Sequence, residues 1–142
     1  MKKLITLLLF FTTSLFYAQD LNIDTPMGSS GDDPIYNSAG LQVQPEYPGG
    51  MAAFYDYFHS KLKKDQLKDV QEEKLRVIIT FVVEKNGSVT NIKVLRDPGY
   101  GIKEQSLKIL QSMSKWKPGQ QDGKPVRAQF TLPITITPND KK

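Results

Sequence analysis

The side chains that could do chemistry in this 142-residue chain are few and badly spaced for catalysis. Cysteine is absent and His59 is the single histidine. Disulfides, thiolate metal sites, a cysteine nucleophile and a multi-histidine zinc centre are therefore excluded. Acid–base chemistry would fall to Glu72, Glu73, Glu84 and Asp97, with a serine and His59 as nucleophile and base. All four acids lie on polar strand faces or in loops, and no serine sits in a glycine elbow. His59 lies beside the apolar face of an aromatic-rich helix, where a lone histidine usually packs rather than reacts. These residues argue against an enzyme, and no cofactor or metal site is expected.

A different chemistry is available in the main chain of the last apolar run. Ala128, Phe130, Leu132 and Ile134 alternate with polar residues and predict a strand over residues 126–137. Pro125, Pro133 and Pro138 punctuate it. Proline cannot donate a ladder hydrogen bond, so a strand with Pro133 inside it belongs at a sheet edge. An edge offers free N–H and C=O groups to a partner strand, unless those prolines merely blunt it.

The elements needed to hold that edge are legible by period. Met51, Phe54, Tyr55, Phe58 and Leu62 line one face of a helix that follows Pro48-Gly49-Gly50. Leu75, Val77, Ile79, Phe81 and Val83 alternate along a strand. Asn86-Gly87 predicts a tight hairpin with two positive-φ residues, and Val89, Ile92, Val94 and Leu95 carry the return strand. Ile102, Leu107, Ile109, Leu110 and Met113 give a second helix, which stops before Trp116-Lys117-Pro118-Gly119. The fold class is α+β: two helices on one face of a small three-stranded antiparallel sheet, in the order α-β-β-α-β.

The remaining segments set the compartment. Met1-Lys2-Lys3 followed by an uncharged Leu- and Phe-rich run ending at Ala18 reads as a cleavable signal peptide over residues 1–18. As a helix, residues 4–18 would span about 22 Å against a hydrocarbon core of about 30 Å. Cleavage leaves 17 basic against 15 acidic residues, a net charge of +2. That mild excess, with no basic stripe interleaved with aromatics, excludes nucleic acid as the expected partner. Residues 19–44 are rich in turn formers and read as a flexible polar tether. Residues 45–138 form the domain and 139–142 a tail.

Several blocks then resemble the TonB C-terminal domain family in order and spacing. They are Gln44-Pro45-Glu46-Tyr47-Pro48-Gly49-Gly50, Phe81-Val82-Val83-Glu84-Lys85-Asn86-Gly87-Ser88-Val89, and Ser106-Leu107 leading to Trp116-Lys117-Pro118-Gly119. Asp122-Gly123-Lys124-Pro125-Val126 and Leu132-Pro133-Ile134 complete the series. The resemblance implies the same fold and a place among periplasmic energy transducers. These capture the TonB box, a short extended segment of an outer-membrane receptor, as a strand beside their last strand. On this chain the pairing edge would be Val126, Arg127, Ala128, Gln129 and Phe130, with Gln44 and Tyr47 flanking the bound segment. Tyr47-Pro48 could instead fix the start of the first helix, and Trp116 reads as a core plug.

The chain departs from the family pattern where coupling would reside. A transducer needs an inner-membrane helix and a long proline-rich spacer, whereas here the apolar segment is short and the tether holds only Pro26 and Pro34. The expected function is an exported, periplasmic or secreted binding module for a receptor or other envelope protein. The alternative is an inner-membrane-anchored transducer that keeps its N-terminal helix uncleaved. A homodimer formed by strand exchange is left open.

Overall fold

The computed structural model describes residues 33–138. The expected signal peptide, the first part of the tether and the tail lie outside the described residues. The elements run β1 (Ile35–Asn37), α1 (Gly50–Lys61), β2 (Leu75–Val83), β3 (Val89–Arg96), α2 (Ile102–Gln111), β4 (Gly119–Gln121) and β5 (Lys124–Ile136), with two short 3-10 turns at Ser38–Gly40 and Lys64–Leu67. The sheet order is β1-β5-β2-β3, and β4 pairs with the start of β5.

β2 is the central antiparallel partner. It pairs with β5 in unbroken register from Leu75↔Ile136 to Val83↔Ala128, and with β3 on its other side. Because side chains alternate across a strand, this register puts Leu75, Val77, Ile79, Phe81 and Val83 on one face with Ala128, Phe130, Leu132, Ile134 and Ile136. Both helices cover that face. Phe54 and Phe58 of α1 and Ile102, Ile109 and Leu110 of α2 join the strand residues in one buried cluster. Each such side chain contributes roughly 1.5–3 kcal/mol on leaving water. Gly49, at φ 86°, starts α1 directly after Pro48, with Gly50 N–H donating to the Tyr47 carbonyl at 2.7 Å.

Several expectations need correction. The sheet has five strands rather than three, and it is mixed, because β1 runs parallel to β5. The second part of the segment read as a tether, from Asp33 onward, thus joins the sheet, which places the expected domain boundary at residue 45 inside the fold. The last strand is consequently not a plain edge: β2 takes one side, and β1 and β4 each take three residues of it. The hairpin also differs. Gly87 alone takes a positive φ, of 83°, while Asn86 instead accepts the Ser88 N–H on its side-chain oxygen at 2.9 Å. Glu84 and Ser88 close the loop through a backbone bond of 2.8 Å, so the connection is one residue longer than the two-residue turn expected from Asn-Gly. Leu95 lies in the return strand as expected and is 61% exposed.

Candidate peptide-pairing edge

β5 has two sides, and Pro133 tells which groups face outward. Successive residues of an antiparallel strand direct their N–H and C=O alternately to the two neighbours. Pro133 lacks an N–H yet lies within the unbroken ladder opposite Ile78, so its nitrogen faces away from β2. Residues of the same parity (Arg127, Gln129, Thr131 and Thr135) then turn their main-chain groups outward. The Thr80 hydroxyl agrees with this parity: from β2 it donates to the Phe130 carbonyl at 2.8 Å, an oxygen of the opposite set.

β1 occupies part of that outer side. Ile35, Tyr36 and Asn37 stand opposite Arg127, Ala128 and Gln129 in parallel register. With the outward groups on Arg127 and Gln129, the residue whose main chain lies between them is Tyr36. Ile35 and Tyr36 remain 43% and 38% exposed, so their side chains bury little on docking. Beyond Asn37 the chain leaves β5 in a 3-10 turn, which the Asn37 side chain caps by accepting the Ala39 N–H at 3.0 Å. β5 from Thr131 onward has no neighbour on this side among the named strands.

The start of β1 is pinned by a charged cluster on the face of the sheet opposite the helices. Arg127 Nε donates to Glu84 Oε2 at 2.8 Å and Nη2 to Oε1 at 3.2 Å. Its remaining nitrogen, Nη1, donates to the Asp33 carbonyl at 3.0 Å. Lys85 Nζ reaches the Asp33 carboxylate at 2.5 Å. The Thr90 hydroxyl donates to Glu84 Oε1. Arg127 and Glu84 are both 7% exposed, so the pair is buried and fully hydrogen-bonded, the condition under which a buried ion pair is tolerated. Burial opposes ionisation of Glu84, but the hydrogen bonds from Arg127 and Thr90 and the charge of Arg127 prevail and hold its carboxyl below the usual 4.5.

That shift has a testable sign. A carboxylate depressed in the folded state contributes stability above its unfolded pKa and loses it as pH falls through the folded value. The thermal midpoint of the wild-type chain should therefore fall as pH is lowered from about 5. Glu84→Gln should be less stable at pH 7 and show a shallower fall over the same window. Equal slopes for the two proteins in a melting series would remove Glu84 from this role.

The expected site residues fall into three groups. Gln129 is exposed on the outer side of β5, and Gln44 is exposed near it; both line an open depression with Tyr36, Phe130 and Thr131. Val126, Ala128 and Phe130 belong to the strand's other parity: Val126 pairs with Gly119, Ala128 is fully buried, and Phe130 stacks on Phe81 with centroids 6.0 Å apart. Arg127 offers its backbone to the edge while its side chain is committed to Glu84. Tyr47 is only 6% exposed, edge-on to Phe54 and Trp116, and its carbonyl accepts the Gly50 N–H at the start of α1. Gln44 is held in place by flanking bridges, Val43 to Gln120 and Glu46 to Lys117. Sequence reasoning missed β1 and the Arg127–Glu84 pair. The one local signal for β1 is the Ile-Tyr pair after Pro34, too short to show a period.

Residues 71–136 match the family described as Gram-negative bacterial TonB protein C-terminal. Residues 71–136 belong to the TonB C-terminal domain family. The matched part of this TonB C-terminal domain spans β2 to β5 and so contains the whole of the outward-facing strand. That family is one of transport and energy-transduction proteins of the cell envelope. No curated protein and no solved structure matches the chain. Among the described residues of the TonB domain, no helix is long and apolar enough to cross a membrane.

Proposed function

We propose that this chain is an exported TonB C-terminal module that binds a partner by adding an extended segment to the outer side of β5. The partner is the TonB box of an outer-membrane receptor, or a similar extended stretch of another envelope protein. One observation carries the reading: β5 is a long strand, paired with β2 throughout residues 128–136, and its outer side already accepts a parallel strand at Arg127, Ala128 and Gln129. A surface that takes a three-residue strand from its own chain has the geometry to take one from another. Main-chain hydrogen bonds then supply affinity, and Gln44 and Gln129, each able to donate and accept, set the register. Release from the membrane by cleavage after residue 18 completes the proposal and places the module in the periplasm or outside the cell.

A peptide carrying a TonB box should bind the full chain weakly, and Gln129→Pro should abolish that binding. The substitution deletes an outward N–H, leaves the β2 ladder intact and needs only the extended backbone already present before it. Calorimetry with both proteins, alongside circular dichroism to show retained helix, is the test. Undiminished binding to a folded Gln129→Pro protein would place the site elsewhere.

A further inference from the structure

The strand that occupies the pairing side of β5 belongs to the chain itself, and its attachments are of a particular kind. β1 is three residues long, and all three are exposed. What holds it is main-chain pairing to Arg127, Ala128 and Gln129, one hydrogen bond from Arg127 to the Asp33 carbonyl, and one half-exposed ion pair from Lys85 to Asp33. These are polar contacts that a competing extended segment could reproduce. By contrast, the segment that follows is anchored by the buried Leu41 side chain and, independently of β5's outer side, by backbone bridges from Val43 and Glu46 to β4 and its approach. β1 can therefore leave β5 while the chain from Leu41 onward stays in place.

We infer that β1 is a resident pseudo-ligand: residues 33–37 hold the pairing edge closed, and a partner segment binds by displacing them. The inference rests on the pairing edge proposed above and adds a regulatory element to it. Being tethered, β1 acts at an effective concentration in the millimolar range, which a free peptide must overcome. Apparent affinity at the edge is reduced by the fraction of molecules in which β1 is undocked. Anything that undocks β1 without touching β5 should therefore tighten binding in trans. Tyr36 is the position to alter, since its main chain lies between Arg127 and Gln129. Tyr36→Pro removes its N–H and keeps the rest of the fold.

The probe is a synthetic peptide of this chain's own residues 34–38, which lacks Asp33, titrated into nitrogen-15-labelled full chain while the amides of Arg127, Gln129 and Thr131 are followed by NMR. In Tyr36→Pro the peptide should move these amides at a concentration about ten- to a hundred-fold lower than in the wild type. Lys85→Glu, which sets like charges against Asp33 and leaves β5 untouched, should act in the same direction by a smaller factor. Equal responses in wild type and both variants would mean that β1 does not guard the edge, while the edge itself still accepts strands. No response in any of the three proteins, with β1 undocked in Tyr36→Pro by loss of amide protection at Gln129, would overturn both the guard and the pairing edge.

Discussion

Replacing Trp116 with alanine should cost about 3–5 kcal/mol, a large part of the roughly 5–15 kcal/mol that holds a domain of this size together. The ring is 3% exposed and lies within 5.4–5.6 Å, centroid to centroid, of Tyr47, Phe54, Phe81 and Phe130. It therefore joins the segment before α1, α1 itself, β2 and β5. Its indole N–H has a sulfur partner, Met113 Sδ at 3.2 Å. Truncation removes the apolar contacts of all four rings at once and leaves a cavity between elements that cannot all close in on it. Thermal unfolding should shift down by about 15 °C or more. Trp116→Phe, which keeps the ring contacts and gives up the N–H, should recover much of the loss. A fall of under 5 °C for Trp116→Ala would mean that the cluster is not the keystone its geometry suggests. Because Phe130 lies both in this cluster and beside the pairing edge, the alanine variant should also bind a TonB-box peptide more weakly than the wild type.

Gly87→Ala should be nearly as damaging, for a backbone reason. Gly87 has φ 83°, where any residue with a Cβ carries about 1–2 kcal/mol of strain. An added Cβ would also lie 2.0 Å from the Trp116 carbonyl oxygen, which is main chain and cannot swing aside. To make room the hairpin must withdraw, and the bond from Trp116 N–H to the Gly87 carbonyl, 2.9 Å, is lost. A loss of about 3 kcal/mol or more is expected. Gly123→Ala is the control: φ is 74° but nothing lies within 4 Å of its added Cβ, so it should cost only about 1 kcal/mol. Equal costs for the two in denaturant titrations would discount the contact with Trp116.

The long periodic elements were readable because burial imposes a period, and a period needs length. α1, β2, α2 and β5 each run for nine residues or more, and the apolar positions read from the sequence lie in or against the core cluster, apart from Ala128, which is buried outside it, and Leu107, which is half-buried outside it. β4 and β1 are three residues each and carry no period: Gly119-Gln120-Gln121 is polar, and Ile35-Tyr36-Asn37 is exposed throughout. Both form because β5 offers them a ladder, so the cause lies nearly a hundred residues away for β1. The same distance hid the charged cluster. Arg127 was legible as one residue of an edge, but its side chain is tied to Glu84, 43 residues earlier, and to the Asp33 carbonyl, 94 residues earlier. Pro133 was informative in a way its local reading did not convey. It does not bar the strand from having neighbours on both sides; it fixes which amides face the second one. Tyr47 sits in a block whose family resemblance suggested partner contact, and its aromatic neighbours draw it into the core.

The central claim is that the outer side of β5 is where a partner segment pairs. The most direct measurement is a titration of the nitrogen-15-labelled full chain with a TonB-box peptide, read amide by amide. The outward set, Arg127, Gln129 and Thr131, should shift together with Tyr36 as β1 gives way, while amides of β3 at the opposite edge of the sheet stay fixed. Shifts confined to β3, with Gln129 and Thr131 unmoved at saturation, would contradict the account.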